Sequence, residues 1–365
     1  MKKLVSCLLL VCLVSSCLSG CGGNSAGTQS GSGTAGTSSS AVSANSGSSS
    51  TGKAIVLKFN TVVNESHPGY TCMQEFEKNV EERSGGRIDV QLYPSSQLGG
   101  DREAYEALGL GELEMHYSGS FVLGNFTNKT KIWTLPFFFA GGYDAMFEFF
   151  DTYGDEIAQG IADDCGVFPV WTINGAFNPA TAGKAISTPA DMKGIKYRVH
   201  ELDQFVAGYE TLGAIPVVMT TAEVYTGLQQ GAINGAHSEA QMMRTGKYYE
   251  VVDNYSAMNM SLDMSLAGIS QPFLASLDPD LQEIILTCAK EWADSYNKTY
   301  LDILEETYAE LENQGMTITY FDSAMLAPFQ EAVAGQYESF KNSGVEPKFE
   351  EYYNAVQEIN AKHLK

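Results

Sequence analysis

From residue 54 to residue 230, stretches with apolar side chains at every second position take turns with helix-like stretches. That alternation narrows the fold more than any other feature of the chain. The stretch 54–61 sets Ile55, Leu57 and Phe59 on one face and reads as a strand, followed by a polar loop and a helix through Glu82. The stretch 87–93 alternates again through Ile88, Val90 and Leu92, and Pro94 ends it. A helix is expected from Asp101, read as its N-cap, and a short strand near 113–117. The rhythm returns with strands at 167–173, 195–199 and 214–218 and helices from Glu201 and Thr221. Asp278-Pro279 opens a long amphipathic helix that can run to Gln314 before Gly315 stops it. Strand, helix, strand, helix is the grammar of a mainly parallel sheet with crossover helices, so the expected class is α/β.

The N-terminal part cannot join that body. Residues 22–52 carry no charged side chain and one larger apolar residue, Val42. Such a segment buries too little apolar surface to offset its ordering entropy, so a flexible tether with a reach of about 30 Å is expected. Lys2 and Lys3 precede an apolar stretch at 4–18, the pattern of a secretory signal too short to span a membrane comfortably. It ends in Leu18-Ser19-Gly20-Cys21, which resembles a bacterial lipobox. That resemblance implies cleavage before Cys21, acylation there (diacylglyceryl, palmitate), and attachment to the outer face of the cell membrane. The expected division is a signal at 1–20, a lipidated tether at 21–53, and a body too long for one small core, hence two lobes.

Charge and cysteine usage exclude some classes. Loss of Lys2 and Lys3 with the signal takes the net charge from −22 to −24, which argues against nucleic acid and anionic headgroups as partners. A local cationic site for an anionic ligand remains compatible with it, because distant charges are screened. Of seven cysteines, Cys7, Cys12 and Cys17 leave with the signal and Cys21 is the anchor. Cys72, Cys165 and Cys288 remain, an odd number without metal-ligand spacing, so neither a disulfide framework nor a metal site is expected, and at least one thiol should be buried and inert. The body has no Gly-x-Ser-x-Gly, Cys-x-x-Cys or phosphate loop. His200-Glu201-Leu202-Asp203-Gln204 starts like a zincin helix, but Gln204 occupies the place of the second histidine. No catalytic residue and no cofactor is expected, and an anchored hydrolase is the disfavoured rival.

Five stretches resemble one family. They are GGRIDVQLYPSSQLGGDR at 85–102, LPFFF at 135–139, STPADMKGIKYRV at 187–199, AEVYTGLQQGAINGAHS at 222–238 and KYYEVVDNY at 247–255. All are similar, in order, to segments of the DctP-type substrate-binding subunits of tripartite ATP-independent periplasmic (TRAP) transporters. The resemblance covers about 55–270; beyond that only the helical pattern agrees. It implies a two-lobed periplasmic-binding-protein-like fold with hinge strands and a long helix bridging both lobes. Lobe I would hold 54–175, completed by about 264–303, and lobe II 176–263, completed by about 304–365. It also implies a small carboxylate bound in the interlobe cleft and handed to integral membrane permease subunits. A lipoprotein of the same fold that presents its ligand to a membrane receptor is the alternative.

Candidate ligand residues follow from the motifs. Arg198 occupies the position that usually pairs with a substrate carboxylate in the family, and a guanidinium is planar, permanently charged and able to donate two parallel hydrogen bonds. Lys196 shares its strand face and is read as solvated. The family's second arginine, in an "nGfR" element, is replaced by Phe177, which suggests a monocarboxylate with an apolar or aromatic body; Phe177 as a core residue is the other reading. His237 and Ser238 stand where a cleft-lining Glu-Asn pair is common. Ser118 ends a strand that lacks the glutamate of the sialic-acid branch, so that ligand is disfavoured. His67 and His116 are expected to face the cleft, whereas Tyr70, Trp171 and Tyr225 are read as packing.

Overall fold

The computed structural model describes residues 53–364. In chain order the elements are β1 (Ile55–Thr61), α1 (Pro68–Ser84), β2 (Ile88–Tyr93), α2 (Asp101–Leu110), β3 (Met115–Gly119), α3 (Gly142–Cys165) and β4 (Val167–Thr181). Then come β5 (Lys196–Val199), α4 (Asp203–Thr211), β6 (Ile215–Val218), α5 (Thr221–Gln229), β7 (Gly235–Ser238), α6 (Ala240–Thr245) and β8 (Asn254–Ala257). The chain closes with β9 (Ser261–Ser270), α7 (Gln271–Ala275), α8 (Pro279–Asn313), β10 (Thr317–Tyr320), α9 (Ser323–Ser343) and α10 (Phe349–His363). Cys21 and the 22–52 segment lie outside the described residues.

Strand order is β2-β1-β3-β9-β4-β7-β5-β6, with β8 beside β4 and β10 beside β8. In lobe I, β1 lies parallel between β2 and β3, and β9 runs antiparallel between β3 and β4. In lobe II, β5 lies parallel between β6 and β7. The 15-residue β4 belongs to both: up to Phe177 it pairs with β9, and from Asn178 it pairs with β7. A register shift between Ile173 and Gly175 bends it on the way.

Helix α8 ties the lobes. Asp278 stands at its N-cap position without a side-chain cap bond, Pro279 opens it at N1, and Gln314 is its C-cap, close to the bounds the sequence suggested. Its first half packs on α1, where the Trp292 ring meets Phe59 edge-on at 5.9 Å and Tyr117 at 5.2 Å. Its second half packs on α6, where Gln241 Nε2 donates to Thr307 Oγ1 at 2.7 Å, and Leu311 joins the core of lobe II.

Several expectations are corrected. Asp101 is the first residue of α2, and the cap is Gly100, which has no side chain to bond; the Asp101 carboxylate is turned to His116 instead. The strand near 113–117 sits two residues later, as β3. The strand expected at 167–173 continues to Thr181, because the bulge at Asn174-Gly175 carries it onward instead of ending it. The helix expected from Glu201 starts at Asp203. Residues 304–365 were expected to complete lobe II, but α10 packs on α3 of lobe I. There Asn360 accepts from the Gly141 N–H and donates to the Phe138 carbonyl, and Tyr352 reaches Glu156 at 3.0 Å. The three thiols of the body are free, Cys72 and Cys288 buried and Cys165 half-buried. Burial pushes the Cys72 and Cys165 thiols up to about 11, which keeps both protonated and unreactive at neutral pH.

Candidate functional site

The ends of β1, β3, β5 and β7 converge on a cavity between the lobes, the place where open α/β sheets leave room for a ligand. Its empty volume is about 510 Å³, and a wider outer cavity shares Val62, Asp101, Phe121, Arg198, His200 and Thr221 with it. Arg198, on β5, dominates its electrostatics. The side chain is 3 % exposed: it shares a strand face with Lys196, but Lys196 stands at the exposed start of β5, whereas Arg198 lies where β5 is flanked by both β6 and β7. Nε donates to the Met219 carbonyl at 2.9 Å, Nη2 to Thr221 Oγ1 at 3.1 Å, and Nη1 to His200 Nε2 at 2.9 Å. Arg83, Arg87, Arg102 and Arg244 each hold a carboxylate; Arg198 has none among the described residues. Burial lowers its pKa to about 10, which leaves it charged at neutral pH.

His200 was noticed in the sequence only as a false zincin start. Burial first, then the charge of Arg198, push it well below the usual histidine range. The ring is therefore neutral, and Nε2 can accept from the guanidinium. It also lies 4.3 Å from the Phe121 ring. Phe177, on β4, lines the same cavity and belongs to the main hydrophobic core as well, with its ring 5.6 Å from Phe121 and 5.2 Å from His200. The two readings of Phe177 therefore describe one residue.

His67, Ser118 and Ser238 reach the cavity too. His67 caps α1: its Nδ1 accepts from the Gly69 N–H at 3.1 Å, so the neutral ring carries its proton on Nε2. Burial lowers its pKa to about 3.

Two candidates do not line the cavity. His116 was expected at a strand end; it lies inside β3, fully buried, with Nδ1 against the Asn60 carbonyl at 3.1 Å and Nε2 against Asp101 Oδ1 at 3.1 Å. Its part is to hold Asp101 and β1. His237 is also fully buried, behind the Phe177 ring at 5.2 Å, with Phe205 at 4.9 Å and Tyr209 at 5.3 Å. Neither of its ring nitrogens has a hydrogen-bond partner among the described residues. Gly235 and His237 project to one side of β7 and Ser238 to the other, so only Ser238 meets the cavity.

Two acids were missed. Glu239 follows Ser238, caps α6 by accepting from the Gln241 and Met242 N–H groups, and lines the cavity at 5 % exposure. Burial outweighs those donors and raises it to about 8. Asp263, on β9, accepts from Ser120 Oγ at 2.7 Å, Trp133 Nε1 at 3.2 Å and Asn174 Nδ2 at 3.0 Å, fixing the cavity-lining Asn174. Burial raises it to about 7. The sequence signal for Glu239 was its place directly after a recognised motif; nothing marked Asp263.

Residues 59–343 match the family model of bacterial extracellular solute-binding protein, family 7, DctP. The chain belongs to this family. It is 32 % identical over 230 residues to the C4-dicarboxylate-binding periplasmic protein DctP of Vibrio cholerae, covering 63 % of this chain and 69 % of that one. It is 27 % identical over 304 residues to the sialic acid-binding periplasmic protein SiaP of the same organism, covering 82 % and 92 %. Among solved structures, a TRAP periplasmic solute binding protein of Roseobacter denitrificans with bound β-D-glucuronate superposes with a TM-score of 0.77 at 26 % identity, over 83 % of this chain and 99 % of that one. The sugar acid binding protein DctPAm of Advenella mimigardefordensis, in complex with galactonate, shares the fold with a TM-score of 0.80 at 20 % identity, over 84 % and 99 %. This DctP-family chain is thus an extracytoplasmic solute receptor of the TRAP type, two-lobed like its structural relatives, and those relatives are binding proteins. Among the described residues no helix is long and apolar enough to cross a membrane.

Proposed function

We propose that this receptor takes a monocarboxylate with an apolar or aromatic body, fixes its carboxylate on Arg198, and delivers it to integral membrane TRAP permease subunits. The observation that carries this reading is a buried guanidinium in a cavity wall with no carboxylate partner among the described residues. A buried charge is tolerated when something supplies its counter-charge, and a carboxylate gives guanidinium two charge-assisted hydrogen bonds. Relatives named for, or solved with, dicarboxylates and sugar acids support the acid class. The Phe177 ring, standing where a second arginine is usual, supports a ligand with one carboxylate. His67 Nε2–H, Ser118 and Ser238 are the groups available to orient the remainder. Closure of the lobes follows if the ligand contacts the closed form better than the open one. Cys21 would hold the receptor at the membrane through its lipid.

Calorimetry with a panel of mono- and dicarboxylates tests the reading. Arg198→Ala is expected to weaken the best monocarboxylate by about a hundredfold or more with the melting temperature retained, and Arg198→Lys should not restore it, because the fork is lost. Unchanged affinity in Arg198→Ala, or tight binding of dicarboxylates only, would overturn it. For the anchor, Cys21→Ser is expected to release the receptor from the membrane fraction, and retention there would count against lipidation.

A further inference from the structure

The cavity wall holds a second ionisable group, a buried carboxyl that likewise has no ion-pair partner among the described residues. Glu239 is 5 % exposed, lines the same space as Arg198, and forms no ion pair among the described residues. Its two oxygens accept N–H groups from the first turn of α6, which leaves each oxygen a further lone pair. Arg244 and the Tyr300 hydroxyl also act on it, but Arg244 Nη1 is committed to Glu310 at 3.1 Å. Arg198 and Glu239 form no ion pair with each other among the described residues, and Arg198 is held in place by Met219, Thr221 and His200. Burial keeps this carboxyl protonated near neutral pH, and a ligand ammonium beside it would favour the ionised form, so the cavity is complementary to a molecule carrying both a carboxylate and an ammonium.

We infer that the ligand is a zwitterion, an amino monocarboxylic acid whose carboxylate meets Arg198 and whose ammonium meets Glu239. The inference rests on the carboxylate reading of Arg198 and deepens it. The remaining wall agrees, since Phe121, Phe177, Met242 and Tyr248 offer apolar and aromatic surface. Aromatic faces near an ammonium add a further attraction.

The test is titration calorimetry on the mature receptor with L- and D-phenylalanine, L- and D-tryptophan, 3-phenyllactate, 3-phenylpropionate, succinate and glucuronate. At least one amino acid is expected to bind about tenfold or more tightly than the hydroxy and unsubstituted acids of the same body. Glu239→Gln keeps a carbonyl acceptor for α6 and is expected to remove that preference, read as a collapse of the ratio between the amino acid and 3-phenylpropionate affinities. The comparison of probes on the unaltered receptor stands even if the variant is poorly folded. Equal binding of 3-phenylpropionate or 3-phenyllactate would overturn the zwitterion and leave the monocarboxylate reading. Selective binding of succinate or glucuronate would overturn both. No heat with any amino acid at millimolar concentration would also overturn the zwitterion.

Discussion

His237 shows what a single side chain does at this site. It is a fully buried imidazole held among Phe177, Phe205 and Tyr209, and among the described residues neither nitrogen has a hydrogen bond of good geometry, the Phe177 backbone being the polar group that acts on it. Burial first, then the charge of Arg198, lower it to about 3, so the ring is neutral and serves as an aromatic wedge behind the cavity wall. An unsatisfied buried polar group is unfavourable by about 1–3 kcal/mol, so His237→Phe should hold or raise the melting temperature and leave ligand affinity within about twofold. Thermal melts and calorimetry check this, and a clear loss of affinity would give the imidazole a direct part in binding. The motif alignment identified the position but could not say which face of β7 it occupies; pairing with β4 and β5 decides that.

At the scale of elements, β4 is decisive because it serves both lobes. Its bulge needs Gly175 at φ 103°, and a Cβ there would overlap the Tyr300 hydroxyl of α8. Gly175→Ala therefore combines backbone strain with overpacking and should destabilise the protein by about 2–4 kcal/mol. Denaturant unfolding is expected to show a lower midpoint with an unchanged slope; an unchanged midpoint would mean that α8 shifts freely against β4. In the sequence Asn174-Gly175 looked like the end of a strand. Only the continuous partner β9 makes it a bulge. Helix α8, by contrast, was legible from Asp278 to Gln314, because cap, proline and amphipathic period are local signals.

For the whole molecule, buried titratable groups set the response to pH. Glu239 at about 8 and Asp263 at about 7 lie above the ordinary carboxylate values of 4.5 and 3.8. The folded chain thus holds protons there that the unfolded chain releases, and their contribution to stability is lost as pH rises through the folded values. His67 and His237, at about 3 against an ordinary 6.5, act in the other sense: their contribution is present above 6.5 and lost as pH falls toward 3. The two sets oppose each other at mildly acidic pH, and above it only the carboxylates act. The ligand-free receptor is therefore expected to melt at a lower temperature at about pH 8.5 than at about pH 6.5. A flat or rising melting temperature over that interval would show that neither acid keeps its proton.

By itself, the sequence determined the class, the family, the long bridging helix and the identity of Arg198 as the principal candidate. Each of these rests on periodicity, capping or a contiguous motif, which are properties of neighbours along the chain. Tertiary structure alone decided that β4 continues through its bulge, that α10 returns to lobe I, and that His116 and His237 lie outside the cavity wall. It also decided that His200 and Glu239 lie in that wall. Those outcomes depend on which strand pairs with which and on what is buried beside what, and residues far apart in the chain set both.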